Sequence, residues 1–250
     1  MDNILEVRDL KVWFPIKRGI FSRTSGYVKA VDGVSFVLHR GETLGVVGES
    51  GSGKSTIARV VTGLQKSTEG FFTLNGKVAM VFQDPLGSLN PRMTIRSTLE
   101  ESLKVQTSQP RNLATSQPRD LLSLVGLDDS ALDKYPHEFS GGQRQRICIA
   151  RAIASKPELL VCDEAVSALD LSIRAQILEL LEDLKRKLGL SLLFITHDLG
   201  VVQHIADRIL VMNHGKIIEE GLSGQVLRAP REEYTRYLIS SVPKIGKPLT

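Results

Sequence analysis

Runs of apolar residues alternate with helix-like segments along most of this 250-residue chain. Residues 159–162 and 192–195 are continuously apolar, as expected for parallel strands that are buried on both faces. Leucine and isoleucine then recur at helical spacing from Leu171 to Leu188 and stop before Gly189, which predicts one amphipathic helix. Such alternation of strand and helix is typical of an α/β domain.

The N-terminal part of the pattern is richer in strands. Apolar positions predict strands over residues 3–14 and 28–38, and the basic loop between them is either solvated surface or a contact with anionic lipid. Apolar runs on both sides of Asn75-Gly76 predict a β-hairpin. A second hairpin is predicted around residues 213–215.

Three further parts of the chain are predicted to be helical. Between residues 92 and 157, leucines including Leu99, Leu113 and Leu122 recur at that spacing and are interrupted by proline and glycine, which predicts a small helical insertion. Residues 201–206 predict a short helix. The C-terminal tail predicts a last helix that docks on the core through Tyr234, Tyr237, Leu238 and Val242.

Composition narrows the choice of partners and location. A formal net charge of +4 is too small to indicate nucleic acid, so none is expected as a partner. No apolar run approaches the roughly 18 residues that span a bilayer, and the N-terminus has no secretory signal, so we expect a cytoplasmic protein. Cys148 and Cys162 lie in apolar segments and are interpreted as small buried thiols.

One glycine-rich stretch fits a phosphate-binding loop. An apolar strand candidate over residues 43–47 runs into it, and a helical stretch over residues 55–64 leaves it. Glycines let successive N–H groups point at phosphate oxygens, and the following helix adds its positive end. A lysine and a hydroxyl at its end are suited to the β- and γ-phosphates and to Mg²⁺ respectively. The loop consists of Gly48, Glu49, Ser50, Gly51, Ser52, Gly53, Lys54, Ser55 and Thr56.

Polar residues at the ends of other predicted strands suit phosphoryl transfer. Asp163 and Glu164 end one strand, where the first can hold Mg²⁺ and the second can polarise an attacking water. His197 closes the next strand and is expected at the same sheet edge. Gln83 ends a further strand, where its amide can reach Mg²⁺ or water.

A second anion site is predicted far from the phosphate loop. Ser140, Gly141 and Gly142 precede Gln143 where a helix begins and runs to about Ser155, and its first N–H groups and hydroxyl can bind an anion. A chain that binds a single nucleotide does not need a second site for a γ-phosphate.

With these motifs in this order, nearly the whole chain resembles the nucleotide-binding subunits of ABC transporters. The resemblance implies a P-loop NTPase (RecA-like) α/β core with a parallel sheet, an N-terminal antiparallel β subdomain and an inserted helical subdomain. It implies a single ATPase domain over residues 1–240, with its core at 1–83 and 158–230 and its helical subdomain at about 84–157, followed by a tail at 231–250.

The same resemblance implies a role for each motif. Residues 48–56 match the Walker A loop, Asp163 the end of Walker B, and Glu164 the catalytic glutamate. Residues 140–143 match the signature motif, and Asp170 ends the D-loop. By the same resemblance, Gln83 is the Q-loop glutamine and His197 is the switch histidine, and both act in catalysis. Gln83 would also bind the metal, together with Ser55 and Asp163. Phe14 stands at the position in the sequence where the family has an aromatic residue that stacks on adenine, and Trp13 is the alternative.

Several stretches resemble the ATPase subunits of oligopeptide, dipeptide and nickel importers. They are residues 31–36, 81–85 with 88–92, 163–170, and 233–238 with 242–243. This implies an ATPase that uses ATP and Mg²⁺ at the cytoplasmic face of the inner membrane to drive import of peptides or a chelated metal such as nickel. ATP would bind between two such subunits, identical or homologous. Membrane permease subunits, and indirectly a substrate-binding protein, would be the other partners.

Three other interpretations remain open at this point. The first is a soluble ABC-type ATPase of DNA repair or translation, but no long coiled-coil insertion or second cassette is visible. The second is a nucleotide kinase or a GTPase. Either would leave the signature helix unexplained, and the Asn-Lys-any-Asp motif by which a GTPase binds guanine does not occur in the sequence. The third is a subunit that binds ATP without hydrolysing it, against which Glu164 and His197 argue.

Overall fold

Two β-sheets and the helices packed on them form the part of the chain that the computed structural model describes, residues 2–18, 23–104 and 117–241. The larger sheet has six strands in the order β5-β6-β7-β3-β8-β9, all parallel except β9, which is antiparallel to β8. Its strands are β3 (Thr43–Val47), β5 (Val78–Val81), β6 (Leu159–Asp163), β7 (Ser191–Thr196), β8 (Arg208–Asn213) and β9 (Lys216–Leu222).

Three central strands of this sheet, β3, β6 and β7, are buried along their entire length. Layers of structure therefore cover both faces of the sheet, which is why their sequences are continuously apolar and do not alternate. The prediction of buried parallel strands over residues 159–162 and 192–195 is confirmed. The hairpin predicted around residues 213–215 is also present, as β8 and β9.

The smaller sheet is antiparallel, with the order β2-β1-β4 for β1 (Asn3–Arg18), β2 (Arg23–His39) and β4 (Glu69–Leu74). The predicted limits of the first two strands were wrong, because most of the expected basic loop is a continuation of the hairpin. Phe14 pairs with Val28, and Pro15 with Tyr27. The pairing of β4 with β1 reaches only to Lys11, so beyond it β1 has one partner strand, a position where proline is tolerated.

The hairpin predicted at Asn75-Gly76 was also wrong. The strand before this turn, β4, pairs with β1 in the small sheet, whereas the strand after it, β5, pairs with β6 in the large sheet. The turn is held by other segments, since the Asn75 N–H donates to the Ile4 carbonyl (2.9 Å) and the Lys77 N–H donates to Glu158 Oε2 (2.6 Å). Asn-Gly therefore carries the chain from one sheet to the other.

Helices cover the large sheet and continue it at the C-terminus. The predicted amphipathic helix is α6, which ends at Gly189 in the left-handed conformation and buries Ile177, Leu181 and Leu184. The predicted short helix spans Leu199–Ile205, so it begins two residues and ends one residue earlier than expected. The helices of this part are α1 (Lys54–Val61), α6 (Leu171–Leu188), α7 (Leu199–Ile205), α8 (Ser223–Arg228) and α9 (Glu233–Ser241).

The helical insertion predicted between β5 and β6 is present in the described residues. Its buried side chains, including Leu99, Leu122 and Ile147, form one core with Leu160 and Phe194 of the large sheet. Leu113 lies outside the described residues. The helices are α2 (Pro85–Ser88), α3 (Ile95–Lys104), α4 (Pro118–Leu124) and α5 (Gly141–Ile153), with 3₁₀ turns at Asp129–Ala131 and Pro136–Glu138.

The C-terminal helix α9 docks on the core as predicted, but through fewer residues. Tyr234 and Leu238 pack against a cluster that includes Val47 at the end of β3 and Val211 in β8. Tyr237 is 58% exposed, and Val242 lies outside the described residues. Within those residues, no helix is long and apolar enough to cross a membrane.

Both cysteine thiols are free and buried, as the sequence predicted. Burial raises the pKa of Cys148 to about 11 and that of Cys162 to about 12. The thiolate is the reactive form, so at pH 8 no more than about one in a thousand of either thiol is reactive in the folded protein.

We therefore expect a thiol-specific disulfide reagent to modify neither cysteine of the native protein within minutes at pH 8. In denaturant both of the chain's thiols should react at once, because unfolding removes the burial that raises their pKa. The measurement is the absorbance of released reagent with and without denaturant. Rapid reaction of either native thiol would contradict the burial described here.

Candidate functional site

The phosphate loop, residues 48–56, joins β3 to α1 and is packed tightly between other strands. A Cβ atom at Gly53, where φ is +106°, would lie 2.2 Å from the Ala30 carbonyl oxygen of β2. A Cβ atom at Gly48 would lie equally close, 2.2 Å, to the Met212 carbonyl oxygen of β8. Both positions require glycine, so the shape of the loop depends on backbone contacts with both sheets.

Lys54 begins α1, and its side chain folds back over the loop. Its ammonium donates to the carbonyl oxygens of Gly48 (2.8 Å) and Glu49 (2.7 Å) and to Ser52 Oγ (3.3 Å). Burial lowers the pKa of Lys54, while the nearby carboxylates, led by Glu164, act in the opposite direction. The three acceptors hold the Lys54 Nζ at the centre of a loop suited to anions.

A hydroxyl and a carboxylate meet beside this lysine. Ser55 Oγ donates to Asp163 Oδ1 (2.8 Å), which joins the start of α1 to the end of β6. Burial raises the pKa of Asp163, and the bond from Ser55 acts against that rise. Hydroxyl and carboxylate oxygens are the hard ligands that Mg²⁺ prefers, with water completing its octahedron. The donor set at this point therefore fits a magnesium ion.

Glu164, directly after Asp163, is contacted by two of the other predicted site residues. Gln83 Nε2 donates to Glu164 Oε2 (3.1 Å), and His197 Nδ1 lies 3.3 Å from Glu164 Oε1. Glu164 adopts a φ of +50°, which is unusual for a residue with a side chain and is found most often at functional sites. The structure thus places Gln83, Glu164 and His197 together at the carboxyl edge of the large sheet, whereas Gln83 makes no hydrogen bond to Asp163.

The signature motif, residues 140–143, lies at the N-terminus of α5 in the helical insertion. Ser140 caps the helix: its Oγ accepts from the Gln143 N–H (3.3 Å), and Gln143 Oε1 accepts from the Ser140 N–H (3.0 Å). Gly142 is buried, and a Cβ atom there would lie 2.5 Å from Ile173 Cγ2 in α6. In the described part of the chain, no hydrogen bond or ion pair connects residues 140–143 to the phosphate loop.

Asp170 is exposed at the N-terminus of α6, and its side chain forms no capping hydrogen bond there. The preceding turn is held to Glu164, because Ser167 Oγ donates to the Glu164 carbonyl (2.9 Å). The two candidate aromatics differ in surroundings. Trp13 Nε1 donates to Asp32 Oδ1 (3.2 Å), and Lys29 Nζ lies 4.7 Å from the Trp13 ring centroid. Phe14 is 40% exposed on the opposite face of β1.

Sequence reasoning missed two contacts that hold the phosphate loop. The Gly215 N–H donates to the Ser52 carbonyl (3.0 Å), and the Glu49 N–H donates to the Tyr234 hydroxyl (3.2 Å). Tyr234 lies 185 residues from Glu49 along the chain, and no local pattern indicates such a contact.

Comparison with known proteins extends this picture. Residues 31–167 match the family described as ABC transporter. The oligopeptide transport ATP-binding protein OppF of Lactococcus lactis is 45% identical over 98% of this chain and 82% of its own length. The oligopeptide transport ATP-binding protein AppF of Bacillus subtilis is 48% identical, with coverage of 98% and 80%. The dipeptide transport ATP-binding protein DppF of Escherichia coli is 45% identical, with coverage of 97% and 77%.

Solved structures with the same fold include two ATP-binding cassettes. The dimeric cassette MJ0796 in a post-hydrolysis state bound to ADP and Pi has a TM-score of 0.73 at 25% identity, with 88% of this chain and 98% of that chain covered. CbiO1 from Clostridium perfringens, part of the ABC transporter complex cbiONQ, has a TM-score of 0.74 at 25% identity, with coverage of 92% and 97%.

Fold and site together define a P-loop ATPase with an α/β core, a parallel sheet and an antiparallel N-terminal sheet. The chain belongs to the ABC transporter family, among its ATP-binding ATPase subunits. The resemblance stated from the sequence motifs is thereby confirmed.

Gly53→Ala should reduce ATP affinity at least tenfold, because the new methyl group would push the loop away from Ala30. Strain at positive φ should also destabilise the fold by about 1–3 kcal/mol. Gly63→Ala is the matched control, since Gly63 also has positive φ (+76°) but a Cβ atom there would meet no other atom within 4 Å. Calorimetric titration with ATP and thermal unfolding measure the two effects. Unchanged ATP affinity in Gly53→Ala would contradict the tight packing of the loop.

Proposed function

We propose that this chain is the ATP-hydrolysing subunit of an ABC importer for peptides, bound peripherally at the cytoplasmic face of the membrane. The observation that carries the proposal is the cluster at the carboxyl edge of the large sheet, where Gln83 and His197 contact Glu164 beside Asp163 and Lys54. The names of the oligopeptide and dipeptide transport relatives described above support a peptide cargo over nickel.

ATP is proposed to bind with its phosphates in the loop of residues 48–56 and its adenine on Phe14. The Phe14 ring is the better candidate, because Trp13 is already engaged by Asp32 and Lys29. The hairpin that carries Phe14 also lies beside the loop. Gly53 packs on Ala30, and Ala30 is two residues from Val28, the residue that pairs with Phe14. Lys54 would exchange its carbonyl partners for β- and γ-phosphate oxygens.

Magnesium is proposed to be held by Ser55 and Asp163, with Gln83 reaching it once its amide leaves Glu164. When bound, Mg²⁺ neutralises charge that develops on the phosphate oxygens. The same movement of Gln83 would free one carboxylate oxygen of Glu164 to accept a proton from the attacking water. His197 would then turn toward the γ-phosphate. In this proposal Gln83 and His197 hold Glu164 until nucleotide arrives.

The complete ATP site is proposed to need two chains, which are identical or homologous. Among the described residues, the N-terminus of α5 makes no hydrogen bond or ion pair with the phosphate loop of its own chain, yet it is suited to a γ-phosphate. Ser140, Gly141, Gly142 and Gln143 of one chain would therefore close over the nucleotide of the other, with Asp170 at the junction. The dimeric state of the ADP-bound relative supports this arrangement.

Permease subunits are proposed to dock beside Gln83, on the helical subdomain formed by about residues 84–157. Phe82 and Leu86, on either side of Gln83, are 38% and 50% exposed. Exposed apolar side chains next to a catalytic glutamine suit a partner surface that senses ATP. A substrate-binding protein would act through the permease. The division into a core at 1–83 and 158–230 and a tail at 231–250 is part of the same proposal.

Glu164→Gln should lower ATP turnover at least 100-fold, because an amide cannot accept the proton of the attacking water. ATP should remain bound and hold two chains together, which size-exclusion chromatography with radiolabelled ATP can detect. Glu179→Gln, at an exposed position of α6, is the control and should keep normal turnover. Full activity of Glu164→Gln in the assembled transporter would refute the proposed role.

A further inference from the structure

The C-terminal helix α9 reaches the phosphate loop directly. The Tyr234 hydroxyl accepts a hydrogen bond from the Glu49 N–H at 3.2 Å. Burial raises the pKa of the Tyr234 phenol, so the hydroxyl stays neutral at physiological pH. Glu49 directly follows Gly48, the first residue of the loop, so the tyrosine acts at the point where the chain leaves β3.

The peptide group that Tyr234 contacts also binds the Lys54 ammonium. The amide that joins Gly48 to Glu49 presents its N–H to Tyr234, while its carbonyl oxygen accepts from the Lys54 ammonium at 2.8 Å. Hydrogen bonds at the two ends of one amide polarise each other and fix the plane of the peptide. The tyrosine therefore influences where the lysine can lie.

Helix α9 is itself held firmly enough to act as a support. The ring of Tyr234 packs in the cluster that contains Val47, the last residue of β3. Just before α9, the Arg231 and Glu232 N–H groups donate to the two carboxylate oxygens of Glu219 (2.9 and 3.2 Å). Burial works to raise the pKa of Glu219, but these N–H donors, Thr235 and the charge of Arg231 together lower that pKa, so the carboxylate remains charged.

We propose that Tyr234 is a positioning residue for nucleotide binding, which acts through the Gly48–Glu49 peptide on the phosphate loop and on Lys54. The inference rests on the proposed nucleotide site and extends it to the C-terminal helix. Loss of the hydroxyl leaves the Glu49 N–H without its partner and lets the peptide rotate, so the loop is no longer preorganised for phosphate. The effect falls on binding of ATP and ADP alike, because the loop holds the phosphates they share.

The test uses the purified full chain with Tyr234→Phe, which keeps the ring and removes the hydroxyl. Tyr237→Phe is the matched control, since Tyr237 lies on the same helix and is 58% exposed. We expect Tyr234→Phe to raise the Kd for ATP and for ADP about three- to tenfold. Turnover should show a higher KM with little change in kcat, since Glu164 and His197 are untouched. Tyr237→Phe should match the wild type.

Hydrogen–deuterium exchange provides the second readout, which separates a local change at the phosphate loop from a general loss of stability. Exchange at the Glu49 amide should accelerate at least fivefold in Tyr234→Phe, while the core strands β6 and β7 stay protected. A Kd within twofold of the wild-type value, or unchanged exchange at Glu49, would overturn the inference. If the wild type did not bind ATP, and Lys54→Ala gave the same result, the proposed nucleotide site would be overturned as well. Failure of the inference about Tyr234 is therefore distinguishable from failure of the proposed nucleotide site.

Discussion

Two close approaches between the phosphate loop and backbone carbonyls govern how this molecule is built. Gly48 lies against Met212 of the large sheet, and Gly53 lies against Ala30 of the small sheet. The shape of the loop therefore depends on backbone contacts with both the parallel core and the antiparallel sheet. Packing at these two glycines thus ties the stability of the fold to the geometry of the phosphate site.

The carboxyl ends of the parallel strands supply the chemistry around that loop. Because β3, β6 and β7 are neighbours, the residues that follow them meet at one edge. Ser55 reaches Asp163, while His197 and Gln83 both reach Glu164. The helical insertion instead carries Ser140 on a separate surface of the same chain. Such a division of parts is expected if the complete site forms only when two chains meet.

Periodicity and motif spacing were sufficient to predict the buried strands β6 and β7, the helix α6 and the order of the site residues. They failed where structure depends on distant segments. Asn75-Gly76 has the local chemistry of a hairpin turn, but the carbonyl of Ile4 and the carboxylate of Glu158 direct it from one sheet to the other. The segment between the predicted strands, from Pro15 on, has polar and proline residues that suit a loop, yet the ladder between β1 and β2 continues as far as the pair of Arg18 and Arg23. The hydrogen bond between Tyr234 and Glu49 could not be predicted, because only the packing of α9 brings these two residues together.

A mixture of two inactive variants gives the sharpest test of the two-chain site. Lys54→Ala lacks the phosphate lysine but keeps the signature motif, and Ser140→Arg has the opposite defect. Turnover of each variant alone should be close to zero. In a 1:1 mixture, dimers of one chain of each kind contain one intact site, so ATP turnover should reappear and rise with chain concentration. A mixture that stays as inactive as its components, although the wild-type chain hydrolyses ATP as a dimer, would contradict a site shared between two chains.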